Sequence, residues 1–139
     1  MNRIIKIGII GIVSLFFGCD KDKEISNCDQ TVIICADEFE NAPNFPAHIE
    51  DMRIEGNCLT IKFSTSGCDM RNIKLIAGHL NRGSGNPFWT MRLSFDEPGD
   101  CDDWITKEMS FGIEGLQLQG RNSVRLSFFG LNNGILYEY

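Results

Sequence analysis

Cys58-Leu59-Thr60-Ile61-Lys62-Phe63-Ser64 alternates apolar and polar side chains without a break. In an extended chain successive side chains leave opposite faces, so Leu59, Ile61 and Phe63 share one face and Thr60, Lys62 and Ser64 the other. That is the pattern of an antiparallel strand with one side on a core and one side wet. Immediately upstream, Met52 and Ile54 alternate with Asp51, Arg53 and Glu55, and Gly56-Asn57 stands between the two runs. Gly-Asn is a short hairpin connection, so Ile49 to Ser64 is expected to be a β-hairpin.

The same period of two recurs on both sides of the hairpin. Downstream, Asn72 to Leu80 puts Ile73, Leu75 and Ala77 on one face, and Phe88 to Asp96 puts Trp89, Met91, Leu93 and Phe95 on one face. Trp104 to Ile113 follows with Ile105, Met109, Phe111 and Ile113, interrupted by Lys107, and then come Val124, Leu126 and Phe128. Ile135-Leu136-Tyr137-Glu138-Tyr139 closes the chain and is expected to be tied into a sheet. Upstream, the β-branched run Thr31 to Ala36 reads as a first strand. Asp37 to His48 carries Pro43 and Pro46 and reads as a connecting loop without a well-formed helix, because proline removes a backbone donor. About seven or eight short strands, with turn signals roughly every 8 to 12 residues, predict an all-β fold. The expected architecture is an antiparallel, immunoglobulin-like β-sandwich, with a small barrel as the alternative.

The N-terminus has a different logic. Arg3 and Lys6 precede an apolar run from Ile7 to Phe17, and Gly18 stands directly before Cys19. A basic start, a short apolar segment and a small residue at a cleavage point make a secretory signal. The run is about half of the roughly 20 residues a membrane-spanning helix needs, which argues against a transmembrane anchor. The order resembles a bacterial lipoprotein signal, with Phe16 and Phe17 where that pattern usually has leucine and a small residue. The resemblance implies cleavage before Cys19 and a lipid on its thiol; a secreted protein with Cys19 in a disulfide is the competing reading. Asp20-Lys21-Asp22-Lys23-Glu24 resembles the surface-export signal of Bacteroidetes lipoproteins, and also reads as a solvated tether. Asp20 directly after the cysteine resembles, in other bacteria, an inner-membrane retention signal. The expected organisation is a leader over 1–18, a tether over 19–27 and one domain over 28–139.

Charge limits the partners. The 139-residue chain carries a net charge of −6, and loss of Arg3 and Lys6 with the leader takes it two units further, to −8. Phosphate binding needs clustered Lys and Arg, and no such patch is visible, so nucleic acid is not an expected partner. Six cysteines in a short exported chain point to disulfides. With Cys19 lipidated, five remain, and they allow about 15 connectivities with one thiol left over. The pairings expected are Cys68 with Cys101, both in turn-rich stretches, and Cys28 with Cys58. Cys28 with Cys35 is the main competitor, and Cys35 is otherwise expected to be a buried, unreactive thiol.

Asn41-Ala42-Pro43, Cys58-Leu59-Thr60-Ile61, Ser66-Gly67-Cys68, Met91-Arg92-Leu93-Ser94, Cys101 and the closing Ile135-Leu136-Tyr137-Glu138-Tyr139 resemble a group of small, uncharacterised Bacteroidetes lipoproteins. The resemblance covers most of the mature chain. It implies a cell-envelope lipoprotein with a β-rich domain, supports the Cys68–Cys101 pairing, and carries over no catalytic residue; with the export-like run at Asp20 to Glu24, the expected location is the outer membrane, at the cell surface.

Catalytic chemistry finds little footing. The two histidines, His48 and His79, come without the Gly-x-Ser-x-Gly elbow of a serine hydrolase. The cysteines lack the close Cys-x-x-Cys pairs that bind zinc. Asp96, Glu97, Asp100, Asp102 and Asp103 gather five carboxylates in one loop, and Ca²⁺ takes six to eight oxygen ligands, so this loop is the candidate calcium site. Its spacing matches no EF-hand, and a solvated loop explains it as well. Phe88 and Trp104 are the candidates for exposed, ligand-contacting aromatics, while Trp89 is expected in the core. The function expected is a non-enzymatic surface module binding a glycan, a protein or another envelope component, without a cofactor. A small envelope hydrolase, or a protease inhibitor presenting Asn81 to Pro87 as its wedge, is the alternative.

Overall fold

The computed structural model describes residue 19 and residues 27–83, 85–132 and 134–139. The leader over 1–18 and the charged run at 20–26 lie outside the described residues. The chain is mostly β. Its elements are β1 (Gln30–Thr31), β2 (Ile33–Ile34), α1 (Ala36–Asn41), β3 (His48–Glu55), β4 (Cys58–Ser66), β5 (Lys74–Asn81), β6 (Phe88–Ser94), β7 (Trp104–Gly112), a 3₁₀ turn (Glu114–Leu116), β8 (Ser123–Phe128) and β9 (Gly134–Glu138).

β4 behaves as its alternation demands. Leu59, Ile61 and Phe63 are fully buried, together with Phe111 from β7. Facing them are Leu75 and Ala77 of β5, Met91 of β6, Leu126 of β8 and Tyr137 of β9, all in one apolar cluster. Burying each large side chain contributes roughly 1.5–3 kcal/mol, so this shared core is what holds the two layers together. The predicted hairpin is present: β3 runs antiparallel to β4, and Gly56 takes the left-handed conformation at the turn.

One sheet has the order β1-β7-β4-β3 and the other β2-β5-β6-β8-β9. They do not close into a barrel. Nor are they antiparallel throughout, as the sequence pattern suggested: β1 runs parallel to β7, β2 to β5 and β6 to β8. The cause is connectivity. The chain leaves one sheet for the other after β1, β2, β4, β6 and β7, so sheet neighbours such as β6 and β8 are separated by a strand in the opposite layer. The run expected as a single first strand is divided for a related reason. Val32 is buried between β1 and β2 and donates to the Gly112 carbonyl, and the chain changes sheets around it. Side-chain alternation records which face is apolar and carries no record of which neighbour is paired.

The stretch after Cys35 also departs from expectation, since Ala36–Asn41 forms a short helix. The Cys35 Sγ accepts from the Glu38 N–H at 3.4 Å, and Asp37 and Glu38 lie in the first turn, where acidic side chains suit the helix dipole. Pro43 and Pro46 fall after the helix, where they do no harm. At its C-terminal end Arg92 of β6 donates to the carbonyls of Phe39 and Ala42, which the helix itself leaves unpaired. Lys74 bonds Glu38 at 3.0 Å and His79 bonds Glu40 at 3.2 Å. Phe39 is buried against the sheet edge-on to His79, with centroids 5.4 Å apart.

Cys28 bonds Cys58 and Cys68 bonds Cys101, with Cα–Cα distances of 5.7 and 4.9 Å. These are the two pairings expected. Cys35, expected as a free thiol, is instead bonded to Cys19, with Cα atoms 5.1 Å apart. The correction has a simple origin: the expectation had already committed Cys19 to a lipid. A sulfur in a disulfide has no valence left for a thioether, so this bond and a lipid on Cys19 exclude one another.

The seat of Phe39 depends on Gly78, since a Cβ there would lie 2.3 Å from the ring carbon Cγ. Gly78→Ala should therefore destabilise the protein by about 1–3 kcal/mol in urea unfolding, through overpacking. In a Phe39→Ala background the same substitution should cost much less, which a double-mutant cycle will read as coupling.

Candidate functional site

The end of the molecule where the chain changes sheets after β4 and before β7 is built by close backbone contact. Gly67 N–H donates to the Asp103 carbonyl at 3.0 Å, and the N–H groups of Cys68 and Asp69 both donate to the Pro98 carbonyl, at 2.6 and 3.2 Å. Gly67 makes this approach possible, because a Cβ at that position would come within 2.4 Å of the Pro98 Cβ. The Cys68–Cys101 disulfide then ties the two loops covalently. Together these contacts hold the acidic loop against the end of β4.

A second wall comes from the segment that precedes β3. Thr65, pointing inward from β4, donates its hydroxyl to the Pro46 carbonyl at 2.8 Å, and Ser94 does the same for the Pro43 carbonyl at 2.8 Å. Both hydroxyls are buried, so each carbonyl and its donor satisfy one another away from water. Phe45, between the prolines, stacks on the core residue Phe95 with centroids 6.3 Å apart.

Between the two walls lies a cleft of about 550 Å³. Phe45, Pro46 and Ala47 give it apolar lining, and Glu97 and Asp100 line it as well. Trp104 opens β7 directly across from Ser66 and is 62% exposed. His48, opposite Ser64 at the start of β3, completes the rim. Among the described residues no Lys or Arg lines the cleft. Neither Glu97 nor Asp100 has an ion-pair or hydrogen-bond partner among the described residues.

The fold thus brings Trp104, Glu97 and Asp100 together and leaves the other candidates apart. Phe88 is half-buried at the start of β6, in the other sheet, opposite Asn81 and Arg125. Trp89 is half-buried and donates its indole N–H to the Leu116 carbonyl at 3.0 Å. Asp96 accepts a hydrogen bond from the Asn72 side chain, and Asp102 and Asp103 are exposed outside the cleft. The five carboxylates therefore do not share a centre. Among the described residues no three His, Cys, Asp or Glu side chains converge as metal ligands. Proximity in sequence gathered them, but the bend around Pro98 and the pairing of Asp96 with Asn72 spread them out.

Among the described residues neither histidine is hydrogen-bonded to a serine. The Ser64 hydroxyl donates to Glu50 at 2.8 Å, and His79 pairs with Glu40 beside the helix. The loop from Asn81 to Pro87 lies away from the cleft, with Asn81 Oδ1 accepting from Gly83 N–H at 2.9 Å; Ser84 is outside the described residues. What sequence reasoning missed is the wall at Phe45-Pro46-Ala47. Its one signal was an aromatic residue framed by two prolines, which nothing local connects to Thr65 or Phe95. No protein-family model, curated protein or solved structure matches this chain.

The Cys68–Cys101 bond closes a loop with a sequence separation of 33. Loop-closure entropy assigns such a crosslink roughly 3–4 kcal/mol. The double substitution Cys68→Ser with Cys101→Ser should lower unfolding stability by up to that amount under non-reducing conditions, as measured by guanidinium denaturation.

Proposed function

We propose that this chain is a non-enzymatic binding module of the cell envelope, related to the small Bacteroidetes lipoproteins it resembles, and that its ligand, a protein or a glycan, docks in the cleft beside Trp104. The observation that carries this reading is the exposure of Trp104. A large aromatic face left in water at the edge of a concave surface is costly to the free protein and useful to a complex, because stacking it removes apolar area from water at little conformational cost. The cleft volume lies within the ordinary range of ligand sites. Architecture supports the same reading: two layers over one core, with loops gathered at one end, is how an immunoglobulin-like sandwich presents a binding surface, and the three parallel pairings are this chain's departure from that plan.

Three disulfides among the described residues support export to an oxidising compartment. Attachment to the outer membrane, at the cell surface, through a lipid on Cys19 is part of the reading and requires a form in which Cys19 is not bonded to Cys35. In that form Cys35 is a thiol. Mass spectrometry of protein purified from the native membrane should find a chain beginning at Cys19 with a diacylglycerol adduct, and Cys35 alkylated only after denaturation. A mature chain holding the Cys19–Cys35 bond would overturn the anchor and leave export intact.

For the binding function, immobilised protein should capture members of glycan or peptide arrays. Trp104→Ala should abolish that capture while unfolding with the wild type. Capture that survives the substitution, or no capture from either array, would overturn the assignment.

A further inference from the structure

The chemistry of the cleft is more selective than an exposed tryptophan alone requires. Glu97 and Asp100 line it without a counter-ion among the described residues, and no Lys or Arg shares the site with them. Both carboxylates are exposed and hydrated in the free protein, so they stand ready to pair with a cation brought by a ligand, whereas Asp69 already meets Arg71 and Lys107, and Glu108 meets Arg53. In the same cleft Phe45, Pro46 and Ala47 offer apolar lining, and Trp104 is 62% exposed.

A ligand matched to all three features has a cationic head, a planar or compact charge that stacks on an indole, and an apolar stem. We propose that the cleft takes the side chain of an arginine or lysine from a partner protein, the guanidinium or ammonium lying over Trp104 between Glu97 and Asp100 and the methylene stem along Phe45 and Pro46. This rests on the binding-module reading and narrows it to a basic protein segment. A cation over a tryptophan face is worth roughly 0.5–2 kcal/mol, and aliphatic stems of basic residues cover apolar surface well. Asp102 and Asp103, exposed beside the cleft, and the net charge of −6 add a field of the same sign, which steers a basic partner and repels an acidic one. A neutral sugar would also stack on Trp104 and donate its hydroxyls to the carboxylates, but it would leave their charge unneutralised, which a basic side chain does not.

Calorimetry on the full mature protein with three probes tests the assignment: an arginine-containing peptide, the same peptide with citrulline in place of arginine, and a neutral hexasaccharide. The arginine peptide should bind at least about tenfold more tightly than the citrulline peptide, which keeps the shape and loses the charge. Its affinity should fall by about tenfold or more between roughly 20 and 500 mM NaCl. Glu97→Gln with Asp100→Asn should remove that preference without changing the unfolding curve. Equal binding of the two peptides, or a preference that survives loss of both carboxylates, overturns the basic ligand. Trp104-dependent binding of the hexasaccharide alone overturns it too, while leaving the binding module standing. No Trp104-dependent binding of any probe overturns both.

Discussion

Leu59, Ile61 and Phe63 leave β4 on one side and none of them touches water. A strand seated in this way cannot slip by one residue, because the slip would carry all three into solvent and bring Thr60, Lys62 and Ser64 into the core. Everything else is referred to that register. β3 and β7 pair on either flank of β4, so their positions follow from its own. The disulfide at Cys58 holds the chain start at one end of β4, and the one at Cys68 holds the acidic loop just past the other. Even the cleft is a consequence: Ser66 on the outward side stands across from Trp104, and Thr65 on the inward side reaches the Pro46 carbonyl.

The outer side of the second sheet solves a different problem. Cys35, Phe39 and Ile76 are buried there, apart from the main core, beneath a helix of little more than one turn. So short a helix is not stable by itself, because nucleation costs more than its few hydrogen bonds return. Its stability comes from side chains of the sheet: Arg92 at the unpaired carbonyls, with its guanidinium 5.9 Å from the Phe39 ring centroid, and Lys74 and His79 at the glutamates. The prolines that follow continue the pattern, since hydroxyls of Ser94 and Thr65 meet their carbonyls. A segment without regular structure is thereby tied to both sheets, and it lines the cleft.

The sulfur chemistry joins the two halves of the functional reading. Cys35 both caps the helix and bonds Cys19, so the point at which a lipid would attach is also a point at which the folded domain grips its own N-terminal segment. One sulfur cannot serve both purposes. Anchoring therefore implies a domain held by two disulfides, with the helix cap supplied by a thiol.

Much of the strand content was legible from residue alternation alone: the hairpin at Gly56-Asn57, the inward faces of β4, β5 and β6, and two of the disulfides. Alternation is a local property, imposed by the pleat of an extended chain, and it survives whatever the neighbours are. The sequence by itself thus determined much of which side chains face the core and the acidic character of the domain, while of the two aromatics it offered for exposure, Phe88 and Trp104, the fold leaves Trp104 in solvent and half-buries Phe88. Only the tertiary structure decided that the sheets are mixed, that Thr31 to Ala36 divides between them, that a helix forms before the prolines, and that Glu97 and Asp100 line one cleft with Phe45 while Asp96, Asp102 and Asp103 lie outside it. Those outcomes depend on contacts between residues tens of positions apart, such as Pro98 on Gly67 and Arg92 at the end of the helix. No periodicity in the chain encodes them, because their energy exists only once both partners are in place.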